Sequence, residues 1–174
     1  MTAWAALLRA VNVGGTGALP MAELRAIAAN CGFTQVRTHI ASGNLLFDSP
    51  LAEPEVKAVL ELALAQRAGR TTEVFVRCAA ELAEIVAANP FPDANGSRHM
   101  VFFYDHAPPR DLIAQCRDCA GERLALGTRE LYVDYGAGIR TTKLKIPAKL
   151  DRTGRNMNTV RKLAQMLAVK EMVS

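Results

Sequence analysis

What most restricts the fold of this chain is a change of period that occurs repeatedly within its first 78 residues. A strand buries alternate or continuous apolar residues, whereas a helix buries a stripe that recurs every three to four positions, so the two patterns are not interchangeable. Thr2 to Arg9 is a compact apolar segment of strand character, and Ala3 to Leu8 within it is the longest unbroken apolar run of the sequence. Such a run is too short for a membrane span or for the apolar part of a signal peptide. After a Gly-rich break at Asn12 to Gly17 comes Pro20, which suits a first helical turn because its φ is fixed near the helical value and its missing N–H has no partner there. Met21, Leu24, Ile27 and Ala28 share one helical face, and the helix ends before Gly32. Gln35 to Ala41 and Leu45 to Asp48 read as strands joined by Ser42-Gly43-Asn44, a hairpin-type turn. Pro54 opens a second helix through Val56, Val59, Leu60 and Leu64 to about Ala68, and Thr71 to Arg77 alternates as a fourth strand. The order is βαββαβ, the ferredoxin-like unit.

The second half starts with a helix, Ala79 to Ala88, and a Pro/Gly/Asn loop from Asn89 to Ser97. Most of the pattern then returns: strand His99 to Tyr104, helix Pro109 to Cys119, and strands Glu122 to Leu126 and Glu130 to Tyr135. A basic segment leads to a terminal helix whose stripe is Met157, Val160, Leu163, Ala164 and Leu167. The expectation is an α+β protein of two ferredoxin-like sandwich units with an extra C-terminal helix. Residues 1–78 form the first unit, 79–97 a helix and linker, and 98–174 the second unit. A length of 174 residues accommodates two small, closely packed domains.

In a βαββαβ unit the end of strand one, the start of helix one and the turn between strands two and three share one edge. That edge gathers Arg9, Asn12, Gly14, Gly15, Ser42, Gly43 and Asn44. Glycines admit a ligand close to the backbone, a helix start offers unpaired N–H groups, and an arginine forks onto phosphate or carboxylate. Plain turn chemistry explains each piece singly; their coincidence is what suggests an anion cradle. Gly14-Gly15-Thr16-Gly17 is neither a phosphate-binding Walker loop nor a Gly-x-Gly-x-x-Gly turn, so no nucleotide cofactor is inferred.

The overall charge of +4 conceals an asymmetry. From Arg140 to Ser174 nine Lys or Arg face two acids, a net +7, which leaves −3 for the rest. An imbalance of this kind points to an anionic partner such as phosphate or nucleic acid, although a solvated basic tail has the same composition. The densest polar cluster, Thr153 to Thr159, contains Arg155, Asn156, Asn158 and Thr159 and follows Arg140, Lys143, Lys145 and Lys149. Asn156 or Asn158 suits the N-cap of the last helix, and the whole group also suits a phosphate backbone.

Other chemistry is less well furnished. Cys116-x-x-Cys119 lies in the expected helix with no second pair nearby, and structural zinc needs four ligands, so no metal site is assigned. Four cysteines in a chain able to bury a sizeable core read as reduced thiols, and the expected location is the cytoplasm. His39, His99 and His106 form no His-Glu-x-x-His motif, and Ser42 has no Gly-x-Ser-x-Gly elbow.

The segments Ala6 to Gly15, Pro20 to Leu24, Arg37 to Asn44 and Arg155 to Val160 together resemble the signature blocks of the bacterial family catalogued as domain of unknown function 1697. The resemblance runs from end to end and implies a two-domain, ferredoxin-like α+β fold in which the first and last blocks belong to one set. Against the family pattern Ala10 stands for a glycine, His39 for a tyrosine and Met157 for a tryptophan. The resemblance implies no activity.

Three functions are compatible with these residues. In the first, the protein binds an anion, nucleic acid or a phosphorylated small molecule, through Arg9, Asn12, Gly14, Gly15, Ser42, Gly43 and Asn44 together with Arg140, Lys143, Arg155, Asn156, Asn158 and Thr159. The second is an acylphosphatase-like hydrolase, with Asn44 in the topological place of the water-positioning residue; residues 16–23 hold no arginine for its phosphate. The third is a protein-interaction module that uses an open sheet.

Overall fold

Consecutive apolar residues can be hidden on both sides of a strand only in the interior of a covered sheet, and the first strand sits there. The structure, a computed structural model, describes residues 1–9, 19–40 and 43–173. The described residues form two four-stranded antiparallel sheets and five helices, divided between two compact units, Met1–Glu81 with Leu163–Ser174, and Leu82–Lys162.

In the first unit β1 (Thr2–Leu8) lies between β3 (Asn44–Ser49) and β4 (Val74–Cys78), with β2 (Thr34–Thr38) outside β3. Pairing runs from Thr2 opposite Ser49 to Leu7 opposite Asn44, and from Trp4 opposite Cys78 to Leu8 opposite Val74. Trp4, Ala6 and Leu8 join Leu45, Phe47, Val74 and Val76 on one face. They pack on Leu24, Ile27 and Ala28 of α1 (Met21–Asn30) and on Val56, Leu60 and Leu64 of α2 (Glu53–Ala68). The alternate residues Ala5, Leu7, Leu46 and Phe75 are equally buried, which is why β1 shows no polar alternation.

Both helices of this unit begin and end as their sequences dictate. Pro20 precedes α1, and Pro54 occupies the first turn of α2. At the end of α1, Gly32 (φ +86°) donates to the Ala29 carbonyl and Phe33 to that of Ala28, while Phe33 joins the core beside Ala28. That double bond is the glycine-dependent Schellman stop. Gly69 (φ +70°) ends α2, whose first turn is acidic (Glu53, Glu55) and whose last is basic (Arg67), matching the helix dipole. The carboxylate of Glu61 accepts from the Val74 N–H (3.1 Å) and Lys57 donates to the Val74 carbonyl (2.6 Å), so α2 grips the start of β4 by its backbone.

The second unit repeats the strand order. β5 (His99–Tyr104) lies between β7 (Glu130–Asp134) and β8 (Arg152–Asn156), with β6 (Arg123–Leu126) outside β7, all antiparallel. Tyr104, Leu131 and Val133 pack on Leu112 of α4 (Leu112–Gln115), with Phe102, Leu124, Leu126, Tyr135, Leu144 and Ile146 around them. The Tyr132 hydroxyl donates to the Ile85 carbonyl of α3 (Ala79–Ala87) at 2.8 Å. Helix α5 (Met157–Val173) buries Met157, Val160, Leu163 and Leu167. No helix among the described residues is long and apolar enough to cross a membrane.

Two expectations for this unit need correction. The helix expected from Pro109 to Cys119 is only the turn α4. Cys116 turns extended (ψ 145°), Arg117 forms an antiparallel bridge with Lys145, and Asp118 is left-handed, which leaves no helical path. The polar segment read as a lead into the last helix contains β8. Arg-Thr-Gly-Arg-Asn carries no apolar residue, yet it completes the sheet because its backbone pairs with β5, Val101 opposite Arg155 and Phe103 opposite Thr153.

Candidate functional site

In the first unit the end of β1 meets the turn that leads into β3. The Leu8 N–H donates to the Gly43 carbonyl at 2.9 Å, so the end of β1 touches the turn into β3. Gly43 has φ +78°, and Ile40, 56 % exposed, has φ +60°. A β-branched residue in that region is strained, and such strain collects at functional sites. Asn44 is fully buried and its amide donates to the His39 carbonyl (2.9 Å), while the His39 N–H donates back to the Asn44 carbonyl (3.1 Å). Asn44 thus locks the hairpin. Arg9 follows β1 and pairs with Glu73 at 2.9 Å, its side chain 41 % exposed. Asn12, Gly14, Gly15 and Ser42 lie outside the described residues.

The C-terminal cluster is largely engaged by the protein itself. Arg155 is buried across from Val101 and donates to the Thr153 hydroxyl (2.9 Å) and the Gly154 carbonyl (2.8 Å); desolvation pulls its guanidinium down to about 10. Asn156 is the N-cap of α5, its Oδ1 accepting from the Thr159 N–H at 2.9 Å. Thr159 is itself buried, and Asn158 packs so closely on Gly96 that any Cβ there would overlap its amide. A side chain at position 96 would therefore displace the exposed Asn158 amide.

A different set of cations is presented to solvent. Residues 135–151 cross from β7 to β8 with no α-helix, only a 3-10 turn at Ile139–Thr141. Leu144 and Ile146 anchor this strap on the core, and the alternate residues Lys143 and Lys145 are exposed. Arg140, Lys143, Lys145 and Lys149 are all exposed. All four belong to the basic run that the sequence places just upstream of the C-terminal cluster. Beside the strap, Glu122 accepts from the Thr142 hydroxyl and the Ala120 N–H, both at 2.6 Å, and these bonds hold its carboxyl down at about 2. It fastens the strap at Thr142.

Burial raises the thiols of Cys116 and Cys119 above their ordinary value, the opposite of the activation a nucleophilic or redox cysteine needs. His99 is fully buried between the rings of Phe91 and Tyr132, and neither of its ring nitrogens has a hydrogen-bond partner. Desolvation lowers its pKa, against the pull of Asp134. Burial alone would raise Asp134 in turn, but the Gly136 N–H and the Arg123 guanidinium (2.6 Å) outweigh it and hold the carboxyl ionised. Sequence reading gave His99 no role because a histidine in an apolar strand has no local signature.

Comparison with known proteins adds the following. Residues 1–132 match the model of a family described as a protein of unknown function, DUF1697. A conserved bacterial protein of Streptococcus pneumoniae has a similar solved structure, with 25 % identity, a TM-score of 0.79, and coverage of 95 % of this chain and 98 % of that one. No curated protein matches the chain.

Proposed function

This chain belongs to the DUF1697 family of proteins of unknown function, and from that premise we propose that it is a cytoplasmic binding protein for a phosphate-bearing ligand, built on two ferredoxin-like units. Support for the fold reading is the strand order, β2-β3-β1-β4 and β6-β7-β5-β8, antiparallel throughout. Support for the ligand reading is one observation above the others: the crossover 135–151 lacks an α-helix and holds four exposed cations, Arg140, Lys143, Lys145 and Lys149. Connections this long without an α-helix or strand are uncommon in compact domains and are either functional or linker segments, and exposed cations of one sign attract phosphate.

Under this reading the crossover supplies most of the charge. Arg9, Gly43 and Asn44 supply a second polar edge in the first unit; Asn12, Gly14, Gly15 and Ser42 stay candidates on sequence grounds alone. Arg155 and Asn156 serve β8 and the start of α5. The hydrolase reading gains nothing from the described residues, since Asn44 is buried as a hairpin lock and Arg9 is paired with Glu73.

Thermal denaturation at low salt tests the proposal with inorganic phosphate, nucleotides, sugar phosphates and short RNA and DNA oligonucleotides. A bound ligand at 100 times its Kd stabilises by about 2.7 kcal/mol, which in a chain of this length raises the midpoint by about 5 to 10 °C. Stabilisation by phosphate compounds that fades as salt rises supports the proposal. An unchanged midpoint with every compound contradicts it.

A further inference from the structure

Within the second unit a groove of about 510 Å³ is lined by Gln115, Arg117, Lys145 and Lys149, with Ile146 and Pro147 among its apolar walls. It forms where the crossover strap meets the segment after α4. Arg117 and Lys145 exchange both backbone hydrogen bonds, 3.0 and 2.9 Å, as an isolated antiparallel bridge. Residues so paired project their side chains to the same face with Cβ atoms about 5 Å apart, and like charges placed in this way destabilise the pairing. The fold therefore holds two cations side by side at a cost. Lys145 has one counter-ion, Asp118 at 3.5 Å, and both side chains are more than half exposed, so water screens the pair. Neither Arg117 nor Lys149 forms an ion pair with any described residue. An anion seated between them would turn that repulsion into attraction.

The groove also has a chemically distinct end. Gln115, Pro147 and Lys149 line at the same time a smaller hollow of about 130 Å³ completed by Pro109, Leu112 and Leu150, which is apolar. A ligand lying across both would be charged at one end and hydrocarbon at the other. The fork of Arg117 matches two oxygens of a phosphate, and two lysines match its second negative charge.

We propose that this groove is the binding site of a small phosphate monoester with a short apolar arm, the phosphate held by Arg117, Lys145 and Lys149 and the arm placed against Leu112, Pro147 and Leu150. The proposal rests on the phosphate-ligand reading above and names its site and ligand class.

Isothermal titration of the full-length protein at low salt tests it, with n-butyl phosphate as the probe and inorganic phosphate and butanoate as comparisons. The expected result is one-to-one binding of butyl phosphate, at least fivefold tighter than either comparison. Lys145→Ala and Arg117→Ala, both at exposed positions, weaken it at least tenfold, and Leu150→Ser narrows the gap between butyl phosphate and phosphate. Lys162→Ala removes an exposed cation outside the groove and leaves the affinity unchanged. Butyl phosphate binding that depends on Arg140 or Arg9 but not on Arg117 and Lys145 overturns the groove while preserving the broader reading. Failure of every phosphate compound to bind overturns both.

Discussion

The two units share a strand order and differ in what carries the chain between their last two strands. In the first the connection is α2, sixteen residues long, with Val56, Leu60 and Leu64 in the core and a backbone grip on β4. In the second it is the strap 135–151, which reaches the core through Leu144 and Ile146 and leaves its cations in solvent. The fourth strands differ to match, Val-Phe-Val-Arg-Cys against Arg-Thr-Gly-Arg-Asn. One topology thus tolerates a crossover given over to packing and another that leaves its charged side chains in solvent.

Substitutions sharpen this contrast. Leu60→Ala removes a fully buried side chain from α2 and is expected to cost about 2–5 kcal/mol in urea unfolding. Leu144→Ala, on the half-buried strap, is expected to cost less than half as much. Equal costs would mean that the strap is as integral to its core as α2. Gly154→Ala probes the polar fourth strand: a Cβ there would lie 2.9 Å from Phe102 Cε1 and 3.1 Å from Met100 Cε, an overpacking expected to cost about 1–3 kcal/mol. A neutral result would show that β8 shifts freely at its edge.

Helix starts differ in the same way. Neither α1 nor α2 has a side-chain cap, whereas Asn156 caps α5. Asn156→Ala is expected to lose about 1 kcal/mol, and Asn156→Asp should retain most of the stability. A smaller effect still is expected from pH. His99 is held neutral in the folded chain below its ordinary value of 6.5, while the unfolded chain takes up a proton near that value. Below about pH 6.5 the unfolded state therefore binds more protons, and stability falls as pH drops towards the lower folded-state pKa. Unfolding free energies measured at pH 7.5 and 5.5 should differ less in His99→Phe than in the parent. An identical pH dependence would assign it to other groups.

The first unit was the more legible in sequence, for physical reasons. Its strands are apolar, its helices open on Pro20 and Pro54, and they stop at Gly32 and Gly69, so local propensity and tertiary packing agree. In the second unit they part. In Arg152 to Asn156 only Thr153 favours a strand locally; β8 exists because β5 offers an unpaired edge and Gly154 lets Phe102 and Met100 approach. The apolar residues from Leu112 to Cys116 suggested a longer helix, but the Arg117–Lys145 bridge, a contact between residues distant in sequence, draws the chain away. Asn156 was legible as a cap because capping is local. Arg155 was not legible as a buried side chain, because its burial follows from a strand pairing the sequence does not announce. The groove was hidden for the same reason, since Arg117 and Lys149 meet only through tertiary structure.

Amide chemical-shift mapping of the ¹⁵N-labelled protein titrated with inorganic phosphate at low salt tests most directly the claim that recognition resides in the helix-free crossover. The account predicts saturable shifts concentrated at residues 115–118 and 140–149. Shifts confined to the neighbourhood of Arg9, Gly43 and Asn44, with the crossover unmoved, would contradict it.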